Sequence, residues 1–437
     1  MKTTTLKKTI SAGLAGLMLI LTGCGAAEPA AQKSTTPTGQ NKNMTVKPLS
    51  AAVLETADHQ PDESFSNNYC NFAAELFKES CTDSIKNGEN VMISPESVMF
   101  AFGMAANGAQ GDTLKQIEDT LGGTPLDELN NALQYHTNKL EMNTSVDFNV
   151  ANSVWVRDDA DCIQIKQDFC DKLKKTYDAD TYLEPFDINT RDNINAWVSK
   201  NTNNMIPMII DEIPEDSVSY IINAIAFEGK WDAEYEDDQI KENKKFKNSK
   251  GKREKVTMLY SEEHTYFEDE DVTGFLKYYD NREYAFMAML PKKGTKLADF
   301  VSNLDGEKIK HYQNTYGDKV NVCIPEFSFD YDNELSDDLK AMGMELPFSP
   351  NADFSAMADT GFNGLYIDRV LHKTHIELDR YGTKAAAATA LEFDTVGIEP
   401  VQKPKTVYLD RPFAFAIIDT QNGMPIFIGA VNTVNGQ

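Results

Sequence analysis

The stretch GTKAAAATALEFDTVGIEPVQKPKT, residues 382–406, limits the fold more than any other part of the chain. Its alanine run, Ala385 to Ala388, has high helix propensity. Beyond the alanines there is no sustained helical period, and Gly397, Pro400 and Pro404 oppose regular structure. A compact domain seldom carries so long an irregular segment unless it is functional or disordered. The run therefore reads either as an isolated alanine-rich helix or as an extended piece destined for a place where large side chains do not fit.

The rest of the chain has to supply a body around this segment. Phe65, Tyr69, Phe72 and Leu76 recur at helical spacing, so an early helix has one apolar face. Val91 to Ile93 read as a short strand running into Ser94 and Pro95, a good N-cap followed by a good first helical residue. Gly108 and Gly111 break the chain before a further helix near Asp112. FNVANSVWV, SYIINAIAF and NVCIPEFSFDY read as strands, with Pro325 marking an edge or a bulge. Helical patterns such as RDNINAWVSKNT are interspersed without regular βα alternation and without an internal repeat. The expected class is α+β.

The N-terminal region reads as an address. Lys2, Lys7 and Lys8 precede an apolar stretch, Ala12 to Leu21, too short for an ordinary membrane span and suited to an export signal. It ends in LTGC, which resembles the bacterial lipobox and makes Cys24 the expected lipidation site. The expected division is a leader at 1–23, a lipidated flexible tether at 24–61 rich in Ala, Thr, Pro, Gln and Asn, and one domain at 62–437. That domain would lie outside the cytoplasm, held to the membrane through Cys24 alone. The formal charge of -26 argues against nucleic acid and against anionic membrane surfaces as partners.

Setting Cys24 aside leaves Cys70, Cys81, Cys162, Cys170 and Cys323, an odd number with no framework spacing; a Cys162–Cys170 disulfide is the one pairing the spacing suggests. His372 and His375 lie three apart in HKTH, but their surroundings read as strand, where i and i+3 face opposite sides, so no metal is expected. No nucleophile elbow, phosphate loop or dinucleotide fingerprint occurs, and no cofactor is expected. The sequon Asn143-Thr144-Ser145 is expected to be inert.

Several motifs together resemble the serpin family. They are NVMISPESVMFAFGMAANGAQGDT, then Asn195, Trp197 and Val198 in INAWVSKNTNNMI, then Asn223, Ala224, Phe227, Gly229 and Trp231 in INAIAFEGKW. IPEF, ADFSAM, VLHKTHIELD and DRPFAFAIIDTQNGMPIFIGAV come next in family order, so the resemblance runs from about residue 62 to the end. It implies three sheets, roughly nine helices and an exposed reactive loop, here between Tyr381 and Arg411. It also implies a serine protease inhibitor, not an enzyme, acting as a monomer. A protease cleaves the loop, and the cut loop enters the central sheet as a new strand before the acyl-enzyme hydrolyses.

Under that resemblance Gly382, Thr383, Ala385, Ala386, Ala387, Ala388 and Thr389 form the inserting hinge. The inward set Thr383, Ala385, Ala387, Thr389, Leu391 and Phe393 carries no charge, and Lys384 and Glu392 would face water. Counting from Gly382 places the reactive bond at Val396-Gly397, with candidates as late as Val401. A small branched Val396 suits the shallow pocket of an elastase-like protease. Ser94 and His372 are implied to be structural residues beneath the sheet. One departure stands out: Arg380 occupies a position where the family usually has Glu, and Glu377 or Asp379 is expected to compensate. The competing readings are a non-inhibitory serpin serving as a binding or chaperone module, and a surface ligand-binding lipoprotein.

Overall fold

Ser94 and Pro95 begin a helix as their chemistry dictates: the Ser94 side chain accepts the Ser97 backbone N–H, and Pro95 takes the first turn, where no N–H is needed. Every residue of that helix is buried, so it lies inside the molecule and not on its surface. The structure, a computed structural model, describes residues 13–23, 47–142, 146–314, 319–362, 364–382 and 405–435.

Chain order is β1 (Gly13–Gly23), α1 (Glu63–Asn87), β2 (Val91–Ile93), α2 (Pro95–Ala106), α3 (Gly111–Thr120), α4 (Leu126–Met142), β3 (Asp147–Arg157), β4 (Ile163–Ile165), α5 (Gln167–Tyr177), β5 (Asp180–Glu184) and α6 (Ile188–Asn201). Then come β6 (Ser217–Glu228), β7 (Ile240–Lys247), β8 (Arg253–Glu263), β9 (Tyr266–Glu268), β10 (Val272–Tyr278), β11 (Tyr284–Pro291), α7 (Leu297–Ser302) and α8 (Gly306–Gln313). The chain closes with β12 (Val320–Pro325), β13 (Phe327–Glu334), α9 (Ser336–Ala341), β14 (Ala358–Thr360), β15 (Leu365–Leu378), β16 (Lys405–Tyr408), β17 (Phe413–Asp419) and β18 (Pro425–Val431).

The strands form a central six-stranded sheet (β13-β15-β1-β6-β3-β5), a second of six (β2-β18-β17-β11-β10-β9), a third of four (β16-β12-β8-β7) and a ribbon of β14 with β4. Three large sheets and nine helices among the described residues give the α+β architecture that the motifs imply. The alternating runs around Val154 and Ile221 are β3 and β6, antiparallel neighbours in the central sheet. Pro325 lies at no bulge, but β16 stops pairing at Cys323, so one side of β12 is an open edge there. Pro325 is the last residue of β12, where the chain leaves the third sheet for β13 of the central one, so its missing N–H falls at a strand end.

The largest departure from expectation is β1. The apolar stretch expected to serve export is the third strand of the central sheet, antiparallel to β15 on one side and to β6 on the other. Leu17, Leu19 and Leu21 pack into the core that contains α1 and α2, and Met18 and Ile20 pack on the opposite face with Trp197, Ile206 and Ile209. Both faces are covered, which is why a continuous apolar run, not an alternating one, suits the position. Burying five such side chains stabilises the sheet by roughly 1.5–3 kcal/mol each relative to leaving them in water.

Residues 47–61, which composition places in the tether, are laid against the body. The Leu49 N–H donates to the Thr181 carbonyl and the Glu55 N–H to the Lys175 carbonyl, both at 2.8 Å. Asn131 and Asn138 on α4 accept the backbone N–H groups of Asp58 and Ala57. Cys70, Cys81, Cys162, Cys170 and Cys323 are all free thiols, so Cys162 and Cys170 are not joined. Burial pushes the thiols of Cys70, Cys81 and Cys323 up to about 12, which leaves them unreactive at neutral pH.

Candidate functional site: the central slot and its upper end

Gly382 stands at the upper end of the two strands that flank β1. It bridges Lys230 just beyond β6 and Asp379 just beyond β15. Its φ is +86°, and a Cβ there would come within 2.4 Å of the Trp231 backbone N, so only glycine fits. Around it the backbone is pinned. The Tyr381 N–H donates to Asp379 Oδ1 at 2.8 Å, and Trp231 Nε1 donates to the Asp379 carbonyl at 3.1 Å. The Trp231 ring stacks on Tyr279 with centroids 4.7 Å apart. Burial, reinforced by the charge of Glu326, pushes the Asp379 carboxyl up to about 6 against the pull of the Tyr381 N–H.

Arg380 is paired, but not with the residues expected to compensate for it. Its Nε donates to Glu326 Oε1 at 3.1 Å; Glu326 belongs to the turn between β12 and β13. The ion pair has the opposite polarity to that implied by a Glu at position 380. Burial raises the carboxyls of both Glu377 and Asp379, and the charge of Asp379 raises Glu377 further, so neither is a ready counter-ion. A double-mutant cycle over Arg380→Glu and Glu326→Arg is expected to show favourable coupling of about 0.5–1 kcal/mol, modest because both groups are partly exposed. Urea denaturation of the four chains checks it. The single Arg380→Glu chain should be the least stable, and the exchanged pair should recover most of the loss.

Halfway down, beneath the sheet, Ser94 and His372 meet. The Ser94 N–H donates to His372 Nε2 at 3.1 Å, so the imidazole proton belongs on Nδ1. Nδ1 finds only the Gly16 carbonyl, outside good hydrogen-bond geometry. Burial lowers the His372 pKa to about 3, and the ring is neutral at any physiological pH. On the other flank Ser97 Oγ donates to Asn223 Oδ1, Asn223 Nδ2 to Asn152 Oδ1 at 2.8 Å, and Asn152 Nδ2 to the Tyr177 carbonyl at 2.8 Å. Leu17 of β1 pairs in register with His372 on one side and Asn223 on the other. His375 faces away from this cluster and contacts Asp330 Oδ1 at 2.6 Å.

The slot is thus a channel between β6 and β15 with an apolar floor over α2, a polar waist at His372 and Asn223, and a roof. Residues on the outer face of a strand here do not meet water, since Met18 is unexposed and Ile20 nearly so. A Cβ at Gly16 would lie 3.2 Å from Ile209 Cδ1, so the roof tolerates only small side chains at that point. The chemistry such a channel offers is strand pairing on two edges, not catalysis.

Cys24, Thr383, Ala385, Ala386, Ala387, Ala388, Thr389, Val396 and Gly397 lie outside the described residues. Glu326, Asn152 and the roles of Asp379 and Asn223 were not foreseen. Asn152 and Asn223 could have been: each is an amide set among small and apolar residues of a strand, a pattern that calls for a buried partner.

A family model described as "Serpin (serine protease inhibitor)" matches residues 67–434. Iripin-8 of Ixodes ricinus is 32% identical over 367 residues, covering 79% of this chain and 88% of that protein. A "Serine protease inhibitor" of Cyanea capillata is 30% identical over 358 residues, covering 78% of this chain and 92% of its own. Among solved structures, the native state of the thermophilic serpin Tengpin superposes with a TM-score of 0.80 at 36% identity, over 89% of this chain and all of that one.

Proposed function

The chain belongs to the serpin family, and we propose that it inhibits a serine protease by acting as a suicide substrate. The observation that carries this is the register at Gly382. Its bridges to Lys230 and to Asp379, continued downward, bring Ala385 to the place where Gly13 pairs with Phe227 and Ile376. In that register Thr389, Leu391 and Phe393 replace Leu17, Leu19 and Leu21 on the floor, and Ala388 replaces Gly16 under the tight roof.

The charges also find partners. On that register Lys384 would fall between Glu228 and Glu377, and Glu392 would take the buried roof position of Ile20, whose cross-strand neighbour is the exposed Arg369. Opposite charges directly across strands are favourable. The alanine run is therefore read as a strand shaped by two covered faces, and the hinge string lacks the bulky or charged floor residues that would favour a non-inhibitory module.

The proposed chemistry is ordinary acyl transfer halted midway. The protease serine Oγ attacks the Val396 carbonyl, the Val396–Gly397 bond breaks, and Gly397 leaves as an amine carrying the proton. Insertion of the freed strand then drags the acyl-enzyme away before water can hydrolyse the ester. Val396 and the neighbouring Thr395 favour an elastase-like pocket, and Glu392, Asp394 and Glu399 favour a basic protease surface. The protein is proposed to work as an extracytoplasmic monomer, exported and held to the membrane through a lipidated Cys24, as the basic start and LTGC suggest.

The test mixes residues 47–437, a span that keeps the strap on α4 and α5, with an elastase-like protease and with trypsin. A denaturation-resistant band at the summed mass, less a released peptide beginning at Gly397, is the expected result with elastase. Clean cleavage without a complex would overturn the suicide mechanism. Complex formation with trypsin and not with elastase would overturn the assignment of Val396.

A further inference from the structure

We propose that residues 13–23 form a built-in block: a chain that retains them has its insertion slot filled by its own leader strand and cannot trap a protease until they are removed. The inference rests on the inhibitor reading for its consequence, but the seating of the strand stands on geometry alone.

The strand is paired along both edges, from Gly13 opposite Ile376 and Phe227 down to Gly23 opposite Leu365 and Thr22 opposite Ser217. It runs in the direction that a chain descending from Gly382 would take. Its side chains satisfy both surfaces of the channel at once: Leu17, Leu19 and Leu21 fill the floor, Met18 and Ile20 fill the roof, and Gly16 sits where Ile209 leaves room for only a small residue. None of the five large side chains is more than 2% exposed. An export signal needs only an apolar run, so this matching of small and large residues to two different faces goes beyond what passage across a membrane requires.

Two strands cannot hold one pair of edges. With β1 seated, the N–H and C=O groups of β6 and β15 that face the slot are already used, and a cut reactive loop has no unpaired edge to join. Hydrolysis of the Gly23–Cys24 bond, water adding across it to leave a Gly23 carboxylate and a Cys24 amine, turns the strand into a separate peptide whose dissociation on dilution opens the slot. The lipid-anchored form would thus be the armed one, and the unprocessed chain would be inert.

The experiment uses the full chain, 1–437, with Cys24→Ala so that the leader is retained. A second chain adds Leu19→Asp, which puts a carboxylate on the apolar floor and expels the strand. A third retains the leader but carries a site-specific cleavage sequence within residues 25–46, cut after folding. Hydrogen exchange is read over residues 13–23, and complex formation is read with the protease that residues 47–437 trap best.

The expected result is exchange in the leader at least about a hundredfold slower in the first chain than in the second, with trapping at least about a hundredfold slower as well. Trapping should return in the second chain and in the third after the cut and dilution. Leader amides that exchange equally fast in the first two chains would overturn the seating of the strand. Protected amides with undiminished trapping would overturn the block. Protected amides with no complex from any chain, residues 47–437 included, would overturn the inhibitor reading and leave the seating of the strand supported.

Discussion

Thr389→Arg is expected to convert the proposed inhibitor into a substrate. On the proposed insertion, continued from Gly382, position 389 would fall where Leu17 lies fully buried between His372 and Asn223. A threonine hydroxyl suits that polar waist, where His372 Nδ1 has no well-placed partner. A guanidinium does not, because His372 is neutral and the floor beyond it is leucine and α2. Burying an unpaired cation costs several kcal/mol, and about 3 kcal/mol on the insertion step slows it more than a hundredfold. Hydrolysis of the acyl-enzyme would then win. On a denaturing gel the complex should fall to roughly one per cent or less of the cleaved product, by the same arithmetic, while the rate of loop cleavage stays unchanged. Thr389→Val should behave nearly as wild type. A Thr389→Arg chain that still forms complex would show that position 389 does not enter the channel.

The second large effect concerns pH. His372 titrates near 6.5 when unfolded and at about 3 when folded, because burial disfavours the cation. Between those values the unfolded chain binds a proton that the folded one refuses, so this residue removes stability as pH falls below 6.5. The loss approaches about 1.4 kcal/mol per pH unit. Asp338 and Asp379 act in the opposite sense. Burial raises both to about 6, so the folded chain binds their protons first and gains stability as pH falls through 6. Wild type should therefore look flatter with pH than His372 alone would make it.

His372→Gln isolates the histidine's contribution, since glutamine can still accept the Ser94 N–H. At pH 7 the variant should be less stable by about 1–2 kcal/mol, the cost of a disturbed buried hydrogen bond. By pH 5 the gap should close or reverse, because only wild type carries a histidine that must stay neutral to fold. Urea midpoints at half-unit steps from pH 7 to 5 would measure it. A gap independent of pH would mean that His372 is not held neutral by burial.

Much of this was legible in the residues. Ser94 and Pro95 specify a helix start by local hydrogen bonding alone, and the helix begins there. The strands β3 and β6 were readable because both are long runs rich in β-branched and aromatic residues. The junction at Glu326 was not readable, since Arg380 finds a partner 54 positions away and nothing local announces it. The waist needed long-range pairing too: His372 reaches Ser94 across 278 positions. The leader was ambiguous for a different reason. A short apolar run satisfies an export signal, a buried strand or a helix equally, and only the edges of β6 and β15 distinguish the second. The roof over the channel was invisible for the same reason, because the segment after α6 carries no signal of what it will cover.

The central strand is tied to the sheet it fills by residues 24–46 and by the strap that begins at Leu49. Covalent attachment makes seating the strand an intramolecular event, at an effective concentration on the order of a millimolar. Once the link is cut, the same strand is an ordinary solute. At nanomolar protein its occupancy is then governed by a concentration about a millionfold lower. Only the contacts between the strand and the edges of β6 and β15 have to break for the slot to empty. One severed peptide bond would change the sheet by mass action, and the change would be irreversible for as long as the peptide stays dilute.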